Sequence, residues 1–322
     1  MTRSHSEVRV VVCDHVFADL EIERRAVAGL GAELVVAESA DEDALVAAAE
    51  HADALLVCYA KIGSRVVEAA ARGGCKVIAR YGIGVDNVDI AAATKAGIRV
   101  TNVPDYCIDE VADHTMALLL ASARQLVPAA ESVRADAWEM PRDGVHRIAG
   151  RQLALLGVGR IGSRVSSRAR AFGLHVVGYD PFLATGAGDL DARVSTLDEA
   201  VAHADFVSLH MPLNDETKHV VDDRLIGEMR RSPVLINTSR GGLIDSAAAL
   251  RGLESGALSG LALDVTEEEP LPLQSPLRRH PKVIVTPHMG FYSIESEQEL
   301  QRRAVDEVVR ALRGEPAVSR VN

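Results

Sequence analysis

Short apolar runs alternate with helix-forming stretches along almost the whole chain, and this alternation restricts the possible folds more than any other feature. Runs at 8–13, 33–37, 54–58, 76–79 and 98–101 read as buried strands, rich in Val, Ile, Leu or Ala and bounded by glycine or polar residues. Ala-rich helical stretches lie between them, as at 43–51 and 64–72. Parallel strands need a crossover between them, usually a helix, and burial on both faces favours continuous apolar runs. The pattern therefore predicts an α/β fold with parallel sheets. A second series of runs follows at 152–156, 175–179, 205–209, 234–236, 260–262 and 282–285, so 322 residues suggest two such cores rather than one.

Between the two series, 109–125 contains VADHTMALLLASA, apolar almost all round. Such a helix is expected to be buried between layers or subunits. The next segment, through Trp138 and Gly144, reads as irregular and Arg-rich, with Trp138 as its anchor. Thr196 and Glu199 form a capping-box signature for the helix before Asp205. Asp245 and Gly256 bracket another helix as N-cap and C-terminal stop. The last helix, 294–313, carries Val305, Val308, Val309 and Leu312 on one face, and no appended regulatory domain is expected after it.

The first strand of the second series, Leu153 to Leu156, runs into Gly157-Val158-Gly159-Arg160-Ile161-Gly162 and then a helical stretch. A lone G-x-G-x-x-G is weak evidence, but here a strand precedes it and a helix follows. Gly157 permits the tight turn, Gly159 lets the backbone approach a pyrophosphate, and Gly162 lets helix and strand pack closely. Free N–H groups at the helix start, from Arg160 and Ile161 on, face the anion. Asp180 ends the next strand, where a carboxylate bonds the ribose hydroxyls and repels a 2′-phosphate. No Arg follows it immediately, so NAD is expected rather than NADP. Gly82-Ile83-Gly84 lacks a third glycine and is no nucleotide fingerprint.

Charge and cysteine content narrow the class further. A formal charge of −11, from 35 Lys and Arg against 46 Asp and Glu, argues against a nucleic-acid surface. No apolar run approaches the length of a membrane span, and the N-terminus shows no signal-peptide core, so neither membrane partner nor secretion is expected. Cys13, Cys58, Cys75 and Cys107 show no C-x-x-C spacing; they read as buried thiols of a cytoplasmic protein, with no metal site.

Three more strand ends carry functional side chains where an open α/β sheet places its ligands. Arg240 follows one strand, Asp264 and Glu269 another, and His288 a third. Any one of them could be an ordinary surface charge; three together with a dinucleotide turn favour a site. Asp86 and Asp89 read instead as turn and cap residues, and His210 as packing beside the cofactor. His51 and His203 read as exposed helix residues.

The segments RYGIGVDNVDI, TNVPDYCIDEVADHT, LALLGVGRIGSRV, GYDP, INTSRGGLID, LALDVTEEEP and TPHMG resemble the D-isomer-specific 2-hydroxyacid dehydrogenase family across roughly 54–310. Arg80 before YGIGVDN, GYDPFL and Phe291-Tyr292-Ser293 look closest to its C-terminal-binding-protein branch in bacterial form. The resemblance implies two Rossmann-like or flavodoxin-like parallel-sheet domains. An NAD-binding domain, 103–289, would be inserted into a discontinuous substrate domain, 1–102 plus 290–322, with the active cleft between them. It implies NADH-dependent interconversion of a 2-oxo acid and a D-2-hydroxy acid by a homodimer.

By the same resemblance, Arg240 would bind the substrate's carboxylate and 2-oxygen, suiting a planar guanidinium. His288 would be the acid/base, its ring fixed by Glu269. Asp264 would lie near the nicotinamide, and Thr115, Thr238 and Ser239 would line the cofactor cleft. Backbone N–H groups of Ile83 and Gly84, helped by Arg80, would hold the carboxylate. Phe291, with Tyr59 and Tyr81 nearby, suggests room for an apolar or aryl side chain. Beyond Arg80 and Lys61 no basic cluster suggests a phosphorylated substrate. The alternative function is an NAD(H)-sensing binding protein of the same branch.

Overall fold

Every pairing between the described strands is parallel, and the strands form two sheets of five and seven. The structure, a computed structural model, describes residues 8–140, 144–183 and 189–322. The chain divides into two units, 8–106 with 293–322, and 107–292. Both junctions fall a few residues beyond the boundaries read from the sequence. Val103 N–H bonds Gly82 O and Arg303 pairs with Asp105, which keeps that segment with the first unit. Tyr292 N–H bonds Met289 O, closing a turn that belongs to the second.

The first unit comprises β1 (Arg9–Val12), α1 (Glu21–Ala28), β2 (Glu33–Val36), α2 (Glu42–Ala49), β3 (Ala54–Val57), α3 (Ser64–Gly73), β4 (Val77–Arg80), α4 (Ile90–Lys95) and β5 (Arg99–Thr101). Its strand order, β2-β1-β3-β4-β5, is flavodoxin-like. Val11, Leu55, Val57, Ile78 and Val100 pack with residues of α2 and α3 in one core. The C-terminal helix returns to this unit and is numbered last, as α11 (Ile294–Leu312). Ser293 caps it by a reciprocal box with Ser296. Val305 and Val308 of its expected apolar face are buried, while Val309 and Leu312 are partly buried at the edge.

In the second unit come α5 (Ile108–Ala123), α6 (Leu126–Arg134), β6 (Gln152–Leu156), α7 (Arg160–Ala171), β7 (His175–Tyr179), β8 (Ala192–Arg193), α8 (Leu197–Val201), β9 (Phe206–Leu209), α9 (Asp223–Gly227), β10 (Val234–Asn237), α10 (Ser246–Ser255), β11 (Gly260–Leu263) and β12 (Val283–Val285). The order β12-β11-β10-β9-β6-β7-β8 reverses direction between β6 and β9, as in a dinucleotide-binding sheet. Alternate strand residues feed two cores. Ala154, Leu156, Val207, Leu209, Leu235 and Leu261 face α8, α9 and α10; Leu153, Leu155, Phe206, Ile236 and Ala262 face α5 and α7.

The expected helix 109–125 is α5, which ends at Ala123, and a second helix, α6, follows it directly. Gln125 adopts φ 47, a left-handed value that breaks the hydrogen-bond ladder. Pro128 then lies in the first turn of α6, where a missing N–H costs nothing. The stretch expected to be irregular therefore opens on α6, and part of the remaining arm, 141–143, lies outside the described residues. Trp138 does not anchor that arm in this chain: it is 91% exposed. At α8 the cap is a variant of the expected box. Thr196 Oγ1 accepts from Glu199 N–H, but the Glu199 carboxylate accepts from Ser195 N–H instead.

Candidate active site

All four strand-end features of the second unit lie at the carboxyl edge of its sheet, on either side of the β6/β9 switch point. After β6 the chain turns at Gly157, φ 98, where a Cβ would stand 2.6 Å from His210 carbonyl atoms. A Cβ at Gly162 would meet Gly157 O, so the opening of α7 packs directly on the turn. At Gly159 the surroundings are different: no atom lies within 4 Å of where a Cβ would stand. That open space sits at the N-terminus of α7, with Arg160 and Ile161 as the first helical residues. A pyrophosphate fits there, against backbone N–H groups at the positive end of a helix.

Asp180 completes the cradle. Its Oδ2 accepts from Val158 N–H at 2.9 Å and its Oδ1 from Phe182 N–H at 2.8 Å. These bonds fix the carboxylate beside the glycine turn, and each oxygen keeps a lone pair for a ribose hydroxyl. His210 lies beneath, its Nε2 2.9 Å from Ser208 Oγ, and burial pushes its pKa down to about 4. It buttresses the turn as a neutral ring.

On the other side of the switch point, His288 Nδ1 lies 2.7 Å from Glu269 Oε2. Thr266 N–H donates to the other oxygen of Glu269 at 3.0 Å, which fixes the carboxylate that fixes the ring. His288 is 25% exposed, so its ring is accessible from outside, and it adopts φ 51. Its ring centroid is 6.5 Å from that of Phe291, edge to face. Arg240 follows β10, with its carbonyl accepting from Asn237 Nδ2 at 2.8 Å and its Nη1 donating to Ser239 O at 2.8 Å.

Two of the expected cofactor residues turn out to lie inside. Asp264 is 3% exposed, and its carboxylate accepts from Thr286 Oγ1 at 2.6 Å and from the N–H groups of Met289 and Gly290 at 3.0 and 2.8 Å. Burial alone would raise its pKa; hydrogen bonds from His114, Thr286 and those two N–H groups outweigh it and hold the carboxyl below its ordinary value. As placed, Asp264 clamps the turn that carries His288. Thr115 is fully buried and bonds Val111 O and Thr238 Oγ1, each at 2.8 Å. It orients Thr238 rather than offering a surface itself. Ser239, beside Thr238, donates to Met211 O at 3.0 Å, and both are partly exposed.

His114 was not singled out in the sequence, yet its Nε2 reaches Thr286 Oγ1 at 3.0 Å and Asp264 Oδ1 at 3.3 Å. Because Thr286 donates to Asp264, the imidazole N–H must be the donor to this pair. The available signal was a polar His-Thr step within an otherwise apolar helix. A second pair was also unread: His219 Nε2 lies 2.5 Å from Glu267 Oε1, and Ser246 N–H bonds the other oxygen at 3.0 Å.

The first unit, taken by itself, carries the remaining candidates on the turn after β4. Asn102 Nδ2 donates to Ile83 O at 2.7 Å and Val103 N–H bonds Gly82 O, which pins that turn. Arg80 folds back over Gly82, and its buried Nε has no partner among the described residues. Ile83 and Gly84 are partly exposed. Tyr81 does not face a pocket: it is 1% exposed and its hydroxyl donates to buried Glu23 at 2.9 Å. Tyr59 stands 40% exposed on a loop whose N–H groups, at Cys58, Tyr59 and Ala60, bond the Asp14 carboxylate.

Fold and site together define an NAD-binding α/β protein with a histidine–carboxylate pair at the sheet edge. Residues 116–290 match the model for the D-isomer specific 2-hydroxyacid dehydrogenase NAD-binding domain. The chain belongs to that family. It is 37% identical over 293 residues to D-3-phosphoglycerate dehydrogenase of Methanocaldococcus jannaschii, covering 90% of this chain and 55% of that protein. Indeed, it spans about half the length of the curated relatives it matches. Among solved structures, the TT0316 protein from Thermus thermophilus is 34% identical with TM-score 0.87, over 98% of this chain and 100% of that one. A glyoxylate reductase from Paecilomyes thermophila is 27% identical with TM-score 0.88, over 98% of each chain. These names do not single out the C-terminal-binding-protein branch. Among the described residues no helix is long and apolar enough to cross a membrane.

Proposed function

We propose that the chain is an NADH-dependent dehydrogenase that interconverts a 2-oxo acid and a D-2-hydroxy acid. The observation that carries this reading is the His288–Glu269 contact at 2.7 Å, placed with Arg240 on the sheet whose first strand feeds the glycine turn. NADH, when bound, supplies the hydride. Arg240 binds the carboxylate and 2-oxygen and holds the carbonyl carbon in place. His288 gives a proton from Nε2 to that oxygen as negative charge develops, or takes it back in the reverse direction. Glu269 holds the opposite ring nitrogen and stabilises the imidazolium. On the first unit, the N–H groups of Ile83 and Gly84 and the Arg80 guanidinium are proposed to take a carboxylate.

The curated relatives are named for a phosphorylated acid, whereas the cations close after β3 and β4 are Lys61 and Arg80 alone. Unphosphorylated 2-oxo acids are therefore the favoured substrates. NADH oxidation against a panel of 2-oxo acids, with and without phosphate groups, tests the activity. His288→Gln should cut turnover by about 10²–10⁴-fold, the usual scale for a positioned acid/base, while NADH affinity stays unchanged. Full activity in that variant would show that the proton donor is misassigned. Tight NADH binding with no turnover on any acid would instead favour an NAD(H)-sensing binding protein, a role the same residues could serve.

A homodimer in the cytoplasm is also proposed. Leu126 and Val133 on α6, with Trp138 and Met140 beyond it, expose large apolar side chains that a second copy would cover. The four cysteines are free and buried, which suits a reducing compartment. Light scattering showing a monomer would overturn the dimer.

A further inference from the structure

Sequence order alone argues for NAD over NADP because no arginine follows Asp180 directly. The fold changes that argument. Strand β8, only two residues long, pairs in parallel with β7 so that Arg193 stands opposite Gly178, two residues before Asp180. From there Arg193 Nη2 donates to the Asp180 carbonyl at 3.3 Å. A cation is thus brought to the main chain of Asp180 across the sheet rather than along the chain.

Its charge is available. Asp189 and Asp191, the acids closest to it in the preceding chain, are both held by Arg170. Residues 184–188 are Ala, Thr, Gly, Ala and Gly and bring no acid. Arg193 is exposed, and its side-chain contact is the one to the Asp180 carbonyl. Asp180, by contrast, is fixed by two backbone N–H groups. A fixed acceptor for ribose hydroxyls therefore stands beside an exposed planar cation, the group best suited to a phosphate.

We propose that Arg193 is a 2′-phosphate contact of this cofactor site, so that the chain takes NADPH as a second cofactor beside a preferred NADH. The inference rests on the dinucleotide reading of the glycine turn. Asp180 penalises the phosphate by charge repulsion; Arg193 offsets part of that penalty, and salt screens both because the site is open to solvent.

Calorimetric titration of the full chain with NADH and with NADPH tests this without any acid substrate. Arg193→Ala, with Arg193→Gln as a version that keeps the side-chain stem, should weaken NADPH about 10-fold and leave NADH within about 2-fold. Asp180→Asn should tighten NADPH, and that gain should vanish in the Asp180→Asn/Arg193→Ala double variant. Raising salt should weaken NADPH binding more steeply in the wild type than in Arg193→Ala. Equal effects of Arg193→Ala on both cofactors, or none on either, would overturn the assignment. Failure of the wild type to bind either nucleotide would instead remove the dinucleotide reading beneath it.

Discussion

His288 offers its ring from a backbone conformation that ordinary side chains avoid, φ 51, and the surrounding residues hold it there. Its N–H bonds Asp264 O and Thr286 O, while the Asp264 carboxylate gathers Thr286, Met289 and Gly290, and His114 braces the group from α5. The His288–Glu269 contact was legible in the sequence because both residues lie in the segments that leave β11 and β12, where position along the chain sets position at the sheet edge. His114 and Arg193 were not, since each acts on another segment across the fold. His210 was read as cofactor-side packing, and its chemistry makes a pH prediction. The folded ring resists protonation down to about 4, whereas the unfolded ring takes a proton near 6.5. Stability attributable to His210 is therefore complete above pH 6.5, falls as pH drops toward 4, and levels off below. The total is on the order of 3 kcal/mol. Urea unfolding of His210→Gln from pH 7 to 4 should show a flatter decline than the wild type; identical slopes would mean the ring titrates normally.

At the scale of elements, the strands and caps were written most plainly. Asp245 accepts from the N–H groups of Ala247 and Ala248, and Gly256 closes α10 at φ 80, as their positions in the sequence imply. Helix α5 was read as far as Gln125, where the left-handed residue does end the ladder, but α6 was missed because its stretch reads as irregular. The β6–turn–α7 element separates fold from binding in one pair of variants. Gly157→Ala forces a left-handed alanine and a 2.6 Å approach to His210, so it should destabilise the second unit by about 2 kcal/mol or more and abolish NADH binding. Gly159→Ala meets nothing within 4 Å and should leave the melting temperature within a degree or two of wild type. It should nonetheless weaken NADH at least about 10-fold, because the new methyl stands where the pyrophosphate approaches. Gly159→Ala with unaltered NADH affinity would place the cofactor elsewhere.

For the molecule as a whole, the sequence implied two sheets and its family resemblance already assigned 290–322 to the first unit; packing shows what holds the C-terminal helix there. Leu300, Ala304, Val308 and Ala311 of α11 are buried in the first unit, and Gln301 Nε2 reaches Asp19 O and Glu23. Glu307 of the helix accepts from the N–H groups of Val318 and Ser319 beyond its end, and Asn322 bonds Val100 N–H and Ile98 O beside β5. Each large apolar side chain so buried is worth about 1.5–3 kcal/mol, and a domain's whole margin is only about 5–15 kcal/mol. Ending the chain at Tyr292 should therefore unfold the first unit. The second keeps its seven strands, both cores and the glycine turn, so it should still bind NADH within about 3-fold of wild type. Calorimetry of this variant should show one transition rather than two, raised by NADH through mass action. Acid turnover should be lost, because Arg80, Ile83 and Gly84 go with the unfolded unit. Retained turnover would show that those residues are dispensable and that the second unit alone carries the reaction.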